Sequence, residues 1–260
     1  MGVSDKLRQL WATKNKDDEW WSSFVTAPMA IAVNYVVIDI KWLTPNLITL
    51  FSFLVAIASV VFIILGGVDN FIIAAVLIHV SHVLDCMDGQ MARYRNVSSL
   101  SGGYFDKLTD QIQVPLWFGA IGYAAYAQTQ DVLPVFLALI GSSFYMVRGY
   151  SKYIGLYSQV SHDRDYIEKA GLEDRRLQKA ESAGLGFSLA ANFRWLIAEQ
   201  PKILHFDEGV FIFMLSVALI LDTLTPMLWV FAVTQVVYGL GRGWQRGAQI
   251  GRGEKMTRCK

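Results

Sequence analysis

Apolar residues run in six long blocks, at about 47–66, 70–90, 107–127, 132–150, 207–222 and 226–242, and polar residues gather between them. Each block approaches the roughly 20 predominantly apolar residues that a helix needs to cross a hydrocarbon core. The pattern predicts an all-α integral membrane protein with six transmembrane helices. Thr44-Pro45-Asn46 heads the first block, a capping residue followed by a proline where a helix begins. A further apolar stretch, 24–42, is interrupted by Pro28, Asn34, Asp39 and Lys41. It reads as an amphipathic helix lying in the membrane interface, with Trp20, Trp21 and Trp42 at headgroup depth.

The polar intervals set the orientation. The connections 67–70, 128–131 and 222–226 hold no Lys or Arg, whereas the N-terminal arm, the 91–107 connection, the stretch from Arg148 to Lys202 and the tail from Arg242 hold many. Positive charge accumulates on the cytoplasmic side of short loops, so both termini and both long connections are expected there. The expected organisation is a cytoplasmic arm with the interfacial helix over 1–43 and four crossings over 44–150. A helical cytoplasmic insertion of mixed charge follows over 151–206, then two crossings and a basic tail over 207–260. Met1 to Trp20 is polar and has no apolar core of the kind a signal peptide carries. A bacterial or archaeal inner membrane is the expected setting.

Composition narrows the chemistry by exclusion. With 53% hydrophobic residues, 17% charged residues and a net charge of +1, nothing in the chain suggests a nucleic-acid partner. Cys86 and Cys259 lie far apart without metal-type spacing, and read as free thiols in a reducing compartment.

Four aspartates break the apolar pattern in one register: Asp85-x-x-Asp88-Gly89-x-x-Ala92-Arg93, eight residues, then Gly102-x-x-x-Asp106-x-x-x-Asp110. A carboxylate near a bilayer core costs at least a few kcal/mol, so four at the ends of two apolar segments mark a site. Spacings of three and four put each pair on one helix face. Hard oxygen donors in that number suit Mg²⁺, Mn²⁺ or Ca²⁺ rather than zinc, and four are enough for two ions, which would neutralise a bound pyrophosphate. Gly89 and Ala92 follow on the face of Asp85 and Asp88, where small side chains let a nucleotide approach the backbone, and Arg93 suits a phosphate clamp. Gly102 and Gly103 stand where one helix can break and the chain turn.

Other positions carry two readings each. Arg148, Ser151 and Lys152, at the end of the fourth crossing, suit either a phosphate on an acceptor or an anchor to anionic headgroups. Arg194 and Arg242 are further candidates for the same role. His79 and His82, one turn apart, read as buried hydrogen-bonding residues rather than metal ligands. His205, Asp207 and Glu208 open the fifth crossing, where the two acids suit a helix N-terminus.

The aspartate pattern matches D-x2-D-G-x2-A-R-x8-G-x3-D-x3-D without gap or substitution, and the chain thereby resembles the CDP-alcohol phosphotransferase (CDP-alcohol phosphatidyltransferase) family. Thr44-Pro45-Asn46-Leu47-Ile48-Thr49 at the first crossing extends the likeness. Phe24-Val25-x-x-Pro28 brings it nearest the inositol-phosphate transferase branch, although Ala27 stands where that branch has arginine. The resemblance implies transfer of a phosphate group from a CDP-linked donor to an alcohol hydroxyl with release of CMP. It implies Asp85, Asp88 and Asp106 as ligands of two divalent ions, Mg²⁺ or Mn²⁺, with Asp110 as the base and a bridging ligand. Gly89, Ala92 and Arg93 would contact the CDP moiety, with Asn46 and Thr49 beside them. CDP-diacylglycerol is the expected donor, inositol phosphate the leading polar acceptor, and a homodimer in the bilayer the usual assembly. Donors such as CDP-choline, CDP-ethanolamine or CDP-inositol stay open. A divalent-cation or proton-coupled transporter uses the same carboxylates, but leaves Gly89, Ala92 and Arg93 without a task.

Overall fold

Capping residues open the two helices that frame the site. Thr44 accepts a hydrogen bond from the Leu47 amide at 3.3 Å, with Pro45 in the first turn, and Ser99 accepts from the Gly102 amide at 3.0 Å. Each satisfies an amide that the first turn leaves without an intrahelical partner. The computed structural model describes residues 3–15, 19–166, 189–199 and 206–253, and all its regular structure is helical. The helices are α1 (Val3–Ala12), α2 (Ala27–Val37, entered through a π turn at Ser22–Thr26), α3 (Pro45–Leu65) and α4 (Val68–Tyr94). There follow α5 (Leu100–Thr129), α6 (Leu133–His162), α7 (Leu189–Glu199), α8 (Glu208–Ile220) and α9 (Leu224–Gly251). Much of the expected insertion (167–188), His205 and Cys259 lie outside the described residues.

Helices occupy all six apolar blocks, and four of them, α3, α4, α6 and α9, are long and apolar enough to cross a membrane. α5 falls short because glutamines and tyrosines such as Gln113, Tyr123, Tyr126 and Gln128 dilute its apolar run, and α8 has only 13 residues. α3 packs along α4, α5 sits between α3 and α6, α9 lies against α6, and α8 covers the middle of α4. Gly66 and Gly67, at φ 69° and 85°, make the tight reversal from α3 into α4 that residues with a Cβ rarely adopt. Hydrogen bonds cross the helix contacts: the hydroxyls of Ser52 and Ser81 each reach the other's carbonyl, at 2.9 and 3.0 Å, and Trp117 Nε1 donates to Ser59 Oγ at 2.8 Å. Small hydroxyl residues allow this close approach and satisfy one another where water is absent.

Two cores result. One runs through the middle of the bundle, with Phe71, Ile78, Phe118, Phe211 and Phe231 fully buried and the rings of Phe118 and Phe231 stacked. The other gathers Leu10, Ala30, Ile31, Ile48, Val83, Met87 and Met91, and so binds α1, α2 and the start of α3 to the last turns of α4. That second core supports the aspartates from behind.

The expected interfacial helix is shorter than 24–42, since α2 stops at Val37 and turns fill the chain up to Thr44. It is also apolar on both sides rather than amphipathic: Ala30 and Ile31 pack inward, while Met29, Val33 and Val36 are exposed. The polar interruptions have specific partners. Asn34, fully buried, donates to the Met87 carbonyl at 3.0 Å and to Gln90 Oε1 at 3.1 Å, and Lys6 pairs with Asp39 at 2.6 Å. Arg95, which caps α4, donates to the carbonyls of Ile38, Ile40 and Leu43, gathering the turns that follow α2.

Candidate active site

The C-terminal turns of α4 and the N-terminal turns of α5 converge, and the motif aspartates meet where they do. Asp85, Asp88 and Asp106 bring carboxylate oxygens within 4.8 Å of one another. That donor set fits a hard divalent cation, which takes carboxylate oxygens from several directions. Asp88 is the most buried of the four, at 6% exposure, and Thr49 Oγ1 on α3 donates a hydrogen bond to it. A buried carboxylate needs such donors and a compensating positive charge. Asp110, one turn beyond Asp106 and outside the three-carboxylate group, shares an ion pair with it: Lys107 Nζ lies 2.9 Å from Asp106 Oδ2 and 3.0 Å from Asp110 Oδ2.

Beside the aspartates opens a cavity of about 200 Å³, lined by Asn46 and Thr49 from α3, Asp88, Gly89, Ala92 and Arg93 from α4, and Ser99, Gly102 and Asp106 at the entrance of α5. All five residues expected to meet the CDP moiety therefore face one volume. Arg93 is held from an unexpected direction, its Nε donating at 2.7 Å to the carbonyl of Thr13, just past the end of α1. Its guanidinium then folds over Gly89, where an added Cβ would come within 3.2 Å of Arg93 Nη1. Gly89→Ala is expected to displace that guanidinium and weaken binding of a CDP compound about tenfold, the worth of one hydrogen bond to a charged group. Titration of purified protein with a CDP ligand checks it.

Gly102 and Gly103 do not break a helix as expected. The chain turns earlier, at 95–99, with Asn96 in the left-handed region, because Ser99 caps α5 and takes both glycines into its first turn. The need for glycine at 102 is one of space: a Cβ there would meet Ser99 Oγ at 3.0 Å and Asn46 Oδ1 at 3.2 Å.

The expected acceptor residues lie away from the cavity, toward the C-terminal end of α6, and none lines it. Arg148 is engaged within the protein, donating to Asp207 and Gln235 at 3.3 Å each and lying over the Tyr145 ring. Asp207 thus serves both as the residue that opens α8 and as a partner of Arg148. Ser151 Oγ receives a 2.6 Å hydrogen bond from Arg246 on α9, which also donates to the Arg148 carbonyl at 3.0 Å. Arg246 is 8% exposed, and among the described residues no carboxylate pairs with it. It was not legible in the sequence, since nothing near it in the chain marks it apart from Arg242. Gln111, next to Asp110, packs against Gly149 beside Arg148, which brings this cluster up to the end of the aspartate site. Lys152 is exposed, Arg242 Nη1 bonds Gln245 Oε1, and Arg194 Nε donates to the Ala190 carbonyl of its own helix.

The histidines keep to a hydrogen-bonding role. His82 Nε2 lies 2.8 Å from Ser22 Oγ in the interior, and His79 Nδ1 lies 3.0 Å from the Ala75 carbonyl and 3.2 Å from Ser216 Oγ. Ser22 also donates to Glu19, whose carboxylate accepts the Gly209 amide at 2.7 Å and so caps α8.

Known proteins resemble this chain in part of its sequence and in its fold. An uncharacterized protein of Aquifex aeolicus is 40% identical over 102 residues, 38% of this chain and 50% of its own. The bifunctional IPC transferase and DIPP synthase of Thermococcus kodakarensis is 28% identical over 131 residues, 50% of this chain and 29% of its own. The chain thus spans half or less of the length of these curated relatives. The phosphatidylinositol phosphate synthase PgsA1 of Mycobacterium tuberculosis, solved with CDP-DAG bound, shares the fold at a TM-score of 0.52 and 18% identity, over 90% of this chain and 98% of that one. Residues 42–192, which hold the aspartates and the residues around the cavity, match the CDP-alcohol phosphatidyltransferase family throughout, and the chain belongs to that family.

Proposed function

We propose that this protein transfers a substituted phosphate from a CDP-linked donor, CDP-diacylglycerol foremost, to the hydroxyl of a polar alcohol, releasing CMP. The observation that carries this reading is the convergence of Asp85, Asp88 and Asp106 at the edge of a cavity lined by Asn46, Thr49, Gly89, Ala92 and Arg93. In this reading Asp85, Asp88 and Asp106, with Asp110 as a further ligand, would hold two divalent ions, Mg²⁺ or Mn²⁺. When bound, such ions offset phosphate charge and make a nearby hydroxyl more acidic. Thr49 keeps the buried Asp88 carboxylate oriented. Arg93 clamps a phosphate of the CDP moiety, and Gly89 and Ala92 let the nucleotide lie close to α4. Asp110 takes the proton of the attacking hydroxyl, which requires hydrogen-bond reach to the acceptor oxygen. Holding donor and acceptor side by side supplies much of the remaining acceleration.

The leading acceptor is inositol phosphate or a similar polyol phosphate. Support comes from the Arg246 guanidinium, which bonds Ser151 Oγ and the Arg148 carbonyl at the end of the bundle that holds Asp110, with Lys152 next to Ser151 in the chain. The likeness to the IPC transferase and DIPP synthase of T. kodakarensis is compatible with such an acceptor. Arg246→Met is expected to raise the KM for a phosphorylated acceptor at least about tenfold, with the affinity for the CDP donor unchanged. Initial rates with each substrate varied in turn check this.

The membrane arrangement proposed has six crossings, α3 to α6, α8 and α9, with α1, α2 and the α6–α8 connection on the cytoplasmic side beside the active site. The N-terminal arm, the catalytic four-helix segment, the insertion and the last two crossings then follow in the order read from sequence. The protein works as a homodimer. Mass spectrometry of the lipid formed from CDP-diacylglycerol with inositol phosphate, inositol, glycerol phosphate or serine tests the acceptor assignment. Product with inositol phosphate alone supports it, and product only with another alcohol replaces it.

A further inference from the structure

Lys107 stands between the two aspartates of α5, in a position where the motif specifies no residue type. Its side chain is 60% exposed, yet the ammonium is drawn back onto the helix to bridge Asp106 at 2.9 Å and Asp110 at 3.0 Å. Both carboxylates are far less exposed than it is, at 29% and 16%. Four carboxylates crowd this end of the bundle, with Asp88 nearly out of water. Without a cation their mutual repulsion, and the cost of removing them from water, act against the folded arrangement. Lys107 offsets that charge at Asp106 and Asp110.

We propose that Lys107 is a tethered counter-cation that a divalent ion must displace. In the metal-free protein its ammonium occupies the oxygen atoms of Asp106 and Asp110. A divalent ion held by those carboxylates would compete with Lys107 for their oxygens, and the ammonium, of like charge, would swing outward along its flexible stem. The exchange also moves the ammonium away from Asp110, whose Oδ2 accepts from it until then, and opens the approach of an acceptor hydroxyl to the carboxylate oxygen that the ion leaves unused. Lys107 bonds Asp106 and Asp110 on its own helix, so of two ions the one that would use both of these carboxylates is the one that competes with it, and the weaker.

This inference rests on the two-metal reading above, and the test separates the two. Mn²⁺ binding to the detergent-purified full chain is measured by electron paramagnetic resonance and calorimetry, for wild type, Lys107→Met and Lys107→Arg. Melting is followed in EDTA and with Mn²⁺. Lys107→Met keeps the length of the side chain and loses the charge. It is expected to bind the weaker Mn²⁺ about three- to tenfold more tightly, within the modest range of exposed ion pairs and somewhat beyond it for partly buried ones. Its melting point should fall in EDTA and return to the wild-type value with Mn²⁺, which also shows that the variant folds. Lys107→Arg should stay near wild type in both. Equal or weaker Mn²⁺ binding in Lys107→Met overturns the proposal while leaving the two-metal reading intact. If neither wild type nor variant binds Mn²⁺, the metal reading itself fails and the exchange with it.

Discussion

Asp110→Asn is expected to lower CMP release by about 10²- to 10⁴-fold, the range over which a positioned general base contributes, while the protein still binds Mn²⁺ at Asp85, Asp88 and Asp106 and still binds a CDP ligand. The reasoning is positional. Asp110 lies outside the group formed by Asp85, Asp88 and Asp106, so removing its charge leaves those three oxygens in place. It also lies one turn farther along α5, next to Gln111, which packs against Gly149 and the Arg148 region where the acceptor is proposed to sit. A base belongs on that side, between the donor and the acceptor. Asparagine matches aspartate in shape and can still accept from Lys107, so the local helix is not disturbed. Stopped-time assays of CMP release, with Mn²⁺ and donor affinities measured on the same preparation, check it. Full activity in Asp110→Asn removes the base assignment, and loss of Mn²⁺ binding along with activity makes Asp110 chiefly a ligand.

Asp88→Asn should abolish activity by another route. Asp88 is the most buried of the aspartates and accepts from Thr49. Exchanging its charge for an amide would remove one of the proposed ligands, and Mn²⁺ affinity is expected to fall by more than about a hundredfold, beyond what loss of an outer hydrogen bond does at metal sites. Stability should move the other way. A buried carboxylate lacking its cation is unfavourable, and an amide of the same shape still accepts the Thr49 hydroxyl. In EDTA the Asp88→Asn protein is therefore expected to melt no lower than wild type, and the stabilisation that Mn²⁺ gives to wild type should vanish. Active sites commonly keep such a conflict between local stability and function. A variant that melts far below wild type in EDTA would show that the Asp88 charge serves the fold.

The parts of this protein that depend on short-range pattern were open to reading from sequence. Thr44-Pro45 marks the start of α3 because capping and a fixed proline φ act within one turn, and the apolar blocks match six helices because burial repeats along each helix. The aspartates were legible for the same reason, since spacings of three and four decide which side chains share a face. What escaped is long-range. Arg93 meets the Thr13 carbonyl 80 residues away, Arg95 collects carbonyls from Ile38 to Leu43, and Arg246 reaches Ser151 across 95 residues. Side chain to backbone contacts of this kind leave no periodic trace. Gly102 was noticed for its freedom to turn, while its actual constraint is the neighbouring Asn46 side chain on another helix. Lys107 was visible inside the motif, but only the fold of its side chain onto Asp106 and Asp110 gives it meaning. The interfacial helix was assigned too far along because its exposed face is as apolar as its packed one, so the sequence gives no polar edge at Val37.

The most direct measurement is CMP release from CDP-diacylglycerol by the purified protein in the presence of inositol phosphate, with Mg²⁺ or Mn²⁺ and again in EDTA. CMP appearing in step with a new phosphodiester lipid, only with the divalent ion, is the predicted result. Binding of the ion together with transport across proteoliposomes, and no CMP from any CDP donor with any alcohol, would contradict it and make the aspartates a conduction site instead.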